Sequence, residues 1–268
     1  MARQTLHGKV AIISGASSGI GRATALALAA EGARLALAAR NADRLRAAAD
    51  EIEAQGGEAL ALPTDVARRE QVEQLVRETL DRWGRLDVVI ANAGQYVRCP
   101  VRELTVAAVE RSLAVNFYGG LHLALAALPT LLAQGSGHLI FVTSMDGKKG
   151  LPPDAPYVAA KFALTGLAEV MRQELRGSGV AVTTVLPGRV DTPMIETLRV
   201  PWISAKVPPE AVAGAIVRAV YRPRPEVIVP RWAKVLVYVN TVSPRLGDWA
   251  VRAFHLAGWD EKSRGRFP

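Results

Sequence analysis

Tyr157 and Lys161 stand four residues apart in Tyr157-Val158-Ala159-Ala160-Lys161, inside a run from Tyr157 to Leu175 whose apolar spacing is helical. On a helix that interval puts both side chains on one face, a turn apart. A free phenol ionises near pH ~10. An ammonium ion a few ångströms away stabilises the phenolate and draws that value towards the working pH, which makes tyrosine usable as a general acid or base. The same spacing also occurs on exposed helices with no chemical role. Ser144, which closes the apolar run Phe141-Val142-Thr143-Ser144, supplies a hydroxyl able to hold a carbonyl oxygen beside the Tyr157 proton. Asn116, in Leu113-Ala114-Val115-Asn116-Phe117, is an amide within an apolar helical run. Once buried it must find partners: the backbone and a water linked to Lys161, or simply a neighbouring carbonyl between packed helices.

A second constellation lies near the start. Ser14-Gly15-Ala16-Ser17-Ser18-Gly19-Ile20-Gly21 follows a short apolar run and leads into a helical pattern from Arg22 to Glu31. Glycines there let the backbone turn sharply and approach a pyrophosphate, whose charge the free N–H groups and helix dipole would meet. Gly15, Gly19 and Gly21 are therefore the expected dinucleotide contacts, although such turns also use glycine for packing alone. The octet also satisfies the G-x-S-x-G elbow of serine hydrolases, with Ser17 as nucleophile and His255, the only late histidine, as its base. That elbow belongs on a later central strand, and the reading leaves Tyr157 and Lys161 without a task; His255 otherwise packs or caps in the tail.

Cofactor choice is read after the second apolar run, where an acid would favour NAD by accepting from the ribose 2′-hydroxyl. Here Leu37-Ala38-Ala39 is followed by Arg40. An arginine pairs with a 2′-phosphate, so NADP(H) is expected; an exposed helix-flanking arginine is the alternative. A methyltransferase, which also uses a glycine-rich turn, would want an acid at this point. Asp65, in Asp65-Val66, either accepts from an adenine amino group or caps the following helix.

These residues have to be positioned by elements, and two periods alternate along the chain: short Val/Ile/Leu/Ala runs and longer amphipathic stretches. The runs are Val10 to Ser14, Leu35 to Ala39, Ala59 to Leu62, Val88 to Ala91, Leu139 to Thr143, Val182 to Leu186 and Val227 to Val229. Because they lack polar alternation, both faces should be covered, giving an α/β fold: a Rossmann-like, doubly wound parallel sheet of about seven strands with helices on both faces. Ligands on such sheets bind outside the carboxyl ends of the strands. Residues 1–230 are expected to form one dinucleotide-binding catalytic domain, and residues 231–268 a helical extension. In that extension Leu246, Trp249, Ala250, Ala253, Phe254 and Ala257 share a helical face, with Arg245, Asp248 and Arg252 off it. The tail's apolar residues Trp232, Val235, Leu236, Val239, Trp249 and Phe254 are open to three uses: docking on the domain, joining subunits, or resting on a membrane surface. The loop from Pro193 to Val207 is expected to cover a pocket with Met194, Ile195, Leu198 and Trp202, or to pack only on the protein.

The 268 residues are 50% hydrophobic, enough for a sizeable single core. The lone cysteine, Cys99, excludes an internal disulfide and offers no metal-ligand cluster, so no metal is expected and a reducing cytoplasm fits. The start is too short and wrongly flanked for a signal peptide, and no window reaches ~18 uninterrupted apolar residues. The net charge of +8 is dispersed, its densest cluster being the pair Lys148 and Lys149, which reads as solvated surface and not as a nucleic-acid stripe.

Taken together, the chain resembles the short-chain dehydrogenases/reductases in their common single-domain form, from about His7 to Val229. The segments carrying the resemblance are the octet Ser14 to Gly21, Asp65-Val66, Ala91-Asn92-Ala93-Gly94, Asn116, Ser144, Tyr157 to Lys161, and Pro187-Gly188-Arg189-Val190-Asp191-Thr192. The family has threonine at Ser14 and usually asparagine at Ala91. The resemblance implies a catalytic tetrad of Asn116, Ser144, Tyr157 and Lys161, with Lys161 also bonding the nicotinamide ribose. It implies that Gly15, Ser17, Ser18, Gly19, Ile20 and Gly21 meet the dinucleotide, together with Arg40, Asp65, Val66, Asn92, Ala93 and Gly94. Pro187, Gly188, Val190 and Thr192 would hold the nicotinamide end. The expected function is NADP(H)-dependent interconversion of a carbonyl and an alcohol, on a partly apolar small molecule, by a homodimer or homotetramer. A dinucleotide-binding sensor or scaffold without turnover is the alternative of another class, and the intact tetrad argues against it.

Overall fold

In the computed structural model, which describes residues 6–259, seven strands form one parallel sheet in the order β3-β2-β1-β4-β5-β6-β7. They are β1 Val10–Ser14, β2 Arg34–Ala39, β3 Glu58–Pro63, β4 Val88–Ala91, β5 Gly137–Val142, β6 Val180–Pro187 and β7 Glu226–Val229. All seven expected runs are present. Most extend a residue or two past the apolar stretch, because pairing continues to the polar ends; Arg34 pairs with Glu58 in register, their side chains 2.9 Å apart. Thr143, expected as the last residue of β5, lies just beyond it and donates its N–H to Val185 O.

Strand alternation sends successive side chains to opposite faces, and both faces are buried. Ala11 and Ile13 of β1 join one core with α1 (Gly19–Ala30), α2 (Ala42–Ala54) and α7 (Pro209–Tyr221). Val10 and Ile12 join the other with α3 (Arg69–Trp83), α5 (Gly119–Gln134) and α6 (Ala155–Glu174). The apolar helical run 106–134 comprises α4 (Val106–Leu113), a π turn at Ala114–Tyr118 and α5. By length and composition it could cross a bilayer, but its Leu123, Ala127 and Leu131 are packed into the second core. The sheet order reverses between β1 and β4, opening a crevice at their carboxyl ends. The last helices, α8 (Lys234–Val242) and α9 (Pro244–Ala253), pack on each other above that same edge, where Leu236 and Ala250 share a cavity with Ser144 and Tyr157.

Candidate active site

At the crevice two backbones close on each other. Gly15 has φ of +69°, and a Cβ there would stand 2.9 Å from Ala93 Cα; a Cβ on Gly21 would stand 2.2 Å from the Gly15 carbonyl oxygen. Only glycine fits both places. Ser14 Oγ accepts from the backbone N–H groups of Asn92 and Ala93, both at 3.0 Å, and Asn92 Nδ2 donates to Ser14 O at 2.9 Å. The serine thus keeps the hydroxyl that threonine would bring, as a tie between β1 and the β4 loop.

α1 begins at Gly19, three residues earlier than its apolar pattern implies, and no side chain caps its first turn. Ser17, Ser18, Gly19 and Ile20 line an open groove there with Gly15. The groove continues past Arg40, Asp65, Val66, Asn92, Ala93 and Gly94 to Tyr157, Lys161 and Thr192. Gly21, also an expected contact, is buried behind the groove and does not line it. Arg40 is exposed at the rim, where Asn41 caps α2 by accepting from the Arg44 N–H. Asp65 does not cap α3, which starts at Arg69; its carboxylate closes a turn by accepting from the Ala67 N–H at 3.1 Å. Backbone glycine contact, uncapped N–H groups and a rim arginine fit a dinucleotide carrying an extra phosphate.

Tyr157, Lys161, Asn116 and Ser144 are all buried and converge from α6, the π turn and the loop after β5. Lys161 Nζ lies 5.6 Å from the Tyr157 ring centroid and donates to Val142 O at 3.1 Å. Asn116 sits in the π turn, a distortion that re-aims a side chain. Its Nδ2 donates to Gln95 O and Ser112 Oγ, and its Oδ1 accepts from the Gln95 N–H at 3.0 Å. The expected backbone bonding is present.

The expected lowering of the tyrosine is overturned. Burial dominates and pushes the Tyr157 phenol above its ordinary value; the Asp146 charge adds to this, and a hydrogen bond with Ser144 opposes it. Burial likewise brings Lys161 down to about 8, against the pull of Asp146. Spacing shows which groups are near, but not how far water has been removed from them.

A larger cavity of about 620 Å³, within the range of small-molecule sites, opens on the other side of Tyr157. Ser144, Pro187, Gly188 and Val190 line it, while Lys161 lines only the groove; Tyr157 and Thr192 belong to both. Met194, Ile195 and Leu198 cover it as expected, but Trp202 is 89% exposed and turned away, its place taken by Ile203. The tail residues Trp232, Val235, Leu236, Val239, Trp249 and Phe254 all line this cavity, so the tail lies over its own domain.

Sequence reasoning missed a cluster of charges beneath the cavity. Tyr96 OH donates to Asp154 Oδ2 at 2.5 Å, Arg98 Nε donates to Asp154 Oδ1 at 3.2 Å, and the Tyr96 ring meets Tyr157 edge-on at 5.1 Å. Ser144 Oγ donates to Asp146 Oδ2 at 3.2 Å, while Asp146 Oδ1 is buried without a hydrogen-bond partner among the described residues. Burial, helped by the Asp154 charge, pushes Asp146 up to about 7. Arg98 and Arg189 reach the other way, donating to Ala257 O and Leu256 O just after α9. The available signal was position: Asp146 follows Ser144 by two residues and Asp154 precedes Tyr157 by three. Lys148 and Lys149, read as solvated surface, instead pair with Glu226 of β7 and Asp248 of α9.

Residues 9–201 match the family model described as short chain dehydrogenase. An uncharacterised oxidoreductase of Listeria monocytogenes is 40% identical over 196 residues, 72% of this chain and 79% of that one. A ketoacyl reductase, HetN, of a Nostoc species is 33% identical over 267 residues, covering 96% of this chain and 93% of its own. The crystal structure of an actinorhodin polyketide ketoreductase variant with NADPH superposes with a TM-score of 0.76 at 29% identity, over 82% of this chain and 95% of that one. The hydrolase alternative, with Ser17 as nucleophile, falls with these matches.

Proposed function

This chain belongs to the short-chain dehydrogenase family, and we propose that it interconverts a carbonyl and an alcohol on a partly apolar small molecule with NADP(H), Tyr157 exchanging the proton on oxygen. The observation that carries this reading is the shared wall: Tyr157 is common to the groove and the cavity, with Lys161 on the groove side and Ser144 on the cavity side. The cofactor, when bound, supplies or takes a hydride at the carbonyl carbon. Gly15, Ser17, Ser18, Gly19 and Ile20 would hold its pyrophosphate, Arg40 its 2′-phosphate, Asp65 and Val66 the adenine, and Asn92 to Gly94, Lys161 and Thr192 the remainder.

Ser144 Oγ orients the substrate oxygen. A phenol held above its ordinary value stays protonated at neutral pH, so Tyr157 is poised to donate in the direction of reduction. The phenolate left behind is stabilised by protonated Lys161, and Asn116 holds the Gln95 backbone beside Gly94 and Lys161. The ketoreductase relative and the NADPH-bound neighbour support both the reaction class and the phosphorylated cofactor. Exposed Val106, Leu125, Phe162 and Val170 on α4, α5 and α6 offer copies of the chain a face to pair through.

The test is a screen of NADPH and NADH oxidation across ketones, aldehydes, quinones and 3-oxoacyl thioesters. Tyr157→Phe, which removes the proton and keeps the ring, should lower turnover by about 10²–10⁴-fold with NADPH affinity retained. Substantial residual turnover would sink the scheme. Ala39→Asp with Arg40→Leu should move the NADPH-to-NADH preference by about 10–100-fold towards NADH, the range expected for losing a charged hydrogen-bonded pair.

A further inference from the structure

Helix α8 is apolar on two sides. Leu236 and Val239 face the cavity, while Val235, Tyr238 and Val242, at helical spacing, are 63%, 66% and 83% exposed. Trp232 before α8 and Leu246 and Trp249 on α9 extend this outer face, each more than half exposed. A helix packed only on its own domain has no use for apolar residues turned to solvent. The ionic groups around the face are of one sign. Arg231, Lys234, Arg245 and Arg252 are exposed and make no ion pair among the described residues. Asp248, the one acid between residues 231 and 259, is held by Lys149 at 2.5 Å.

We infer that this face docks in the plane of an anionic phospholipid surface, with the aromatic and aliphatic side chains at the acyl boundary and the four cations among the headgroups. Charge complementarity selects that occupant. Two copies meeting here would bring together eight cations that make no ion pair among the described residues, and Asp248, the one acid of residues 231–259, is already held by Lys149. Copies also have a separate apolar face on α4 to α6. Trp232, Val235, Leu246 and Trp249 are both exposed and part of the cavity lining, so the cavity opens at the docking face. A carbonyl compound with an apolar tail would then enter from the bilayer without crossing water. The docking does not rest on the proposed reaction, since it requires no turnover.

The test is flotation of the full chain with vesicles of phosphatidylcholine alone or mixed equally with phosphatidylglycerol, at about 0.1 M salt. Strong binding to the mixed vesicles is expected, reduced several-fold on neutral ones and by high salt. Tyr238→Glu with Val242→Glu, both outside the cavity lining, should weaken binding by at least about tenfold, with the thermal midpoint and NADPH affinity unchanged. Arg231→Ser with Lys234→Ser and Arg245→Ser, which keeps the apolar face, should remove the preference for anionic lipid. Absence of binding to the mixed vesicles, or equal binding by the parent and the glutamate variant, overturns the proposal. So does a parent whose mass in solution falls to that of a smaller assembly in the glutamate variant, because the face would then join copies.

Discussion

The two walls that meet at Tyr157 are made of different material. The groove is built from backbone: Gly15 against Ala93, Gly21 against the Gly15 carbonyl, and hydroxyl and amide ties between β1 and the β4 loop. The cavity is built from side chains of a loop and two tail helices, with a charged cluster underneath. A backbone wall fits whatever common fragment a cofactor presents and tolerates almost no added atom. A side-chain wall can be repacked residue by residue, so it sets which substrate fits while the proton-transfer geometry stays fixed.

The contrast can be broken most forcefully at Gly21. Gly21→Ala drives a methyl into a carbonyl oxygen and should cost about 1–3 kcal/mol, lowering the thermal midpoint by about 5 °C. NADPH affinity should fall with it, as read by fluorescence titration; a variant with the parent midpoint and affinity would show that the wall is softer than its geometry. On the other side, Leu236→Ala should raise KM for an apolar carbonyl about tenfold through lost burial and leave the affinity for NADPH alone. If cofactor affinity moved equally, the two walls would not be separate.

The smallest expected effect is on the pH profile of reduction. With Lys161 at about 8, its charge is present below that pH and lost above it, so turnover should fall on the alkaline side. Ionised Asp146 raises both Tyr157 and Lys161. Asp146→Asn removes that charge, and the alkaline limb should shift to lower pH. A limb that stays in place would mean that the Asp146 carboxyl is not ionised during turnover.

The same division governs what could be read from the sequence. The seven strands are visible because a sheet covered on both faces demands uninterrupted Val, Ile, Leu and Ala, and the glycine turn is visible because close approach demands glycine. The charged cluster is not, since Tyr96, Arg98, Asp146, Asp154 and Arg189 come from separate segments and become partners only when the chain is folded. The direction of the Tyr157 shift is hidden from the sequence for a related reason. Four-residue spacing places Lys161 nearby, but the burial that raises Tyr157 belongs to the packed site. Trp202 shows the converse, an apolar residue in a cavity-covering loop that still turns outward.

The carbonyls of Leu256 and Ala257 are gripped by Arg189 and Arg98, and Lys149 holds Asp248, whereas α8 is attached by apolar contact. A flap stitched along one hem and merely resting along the other has a direction of travel. Opening from the α8 side would break no polar tie to the domain that the described residues make, whereas the far end is sewn to the floor of the cavity. In the proposed reaction that route would let a bulky product leave without disturbing the arginines, the paired aspartate or the tyrosine beside them.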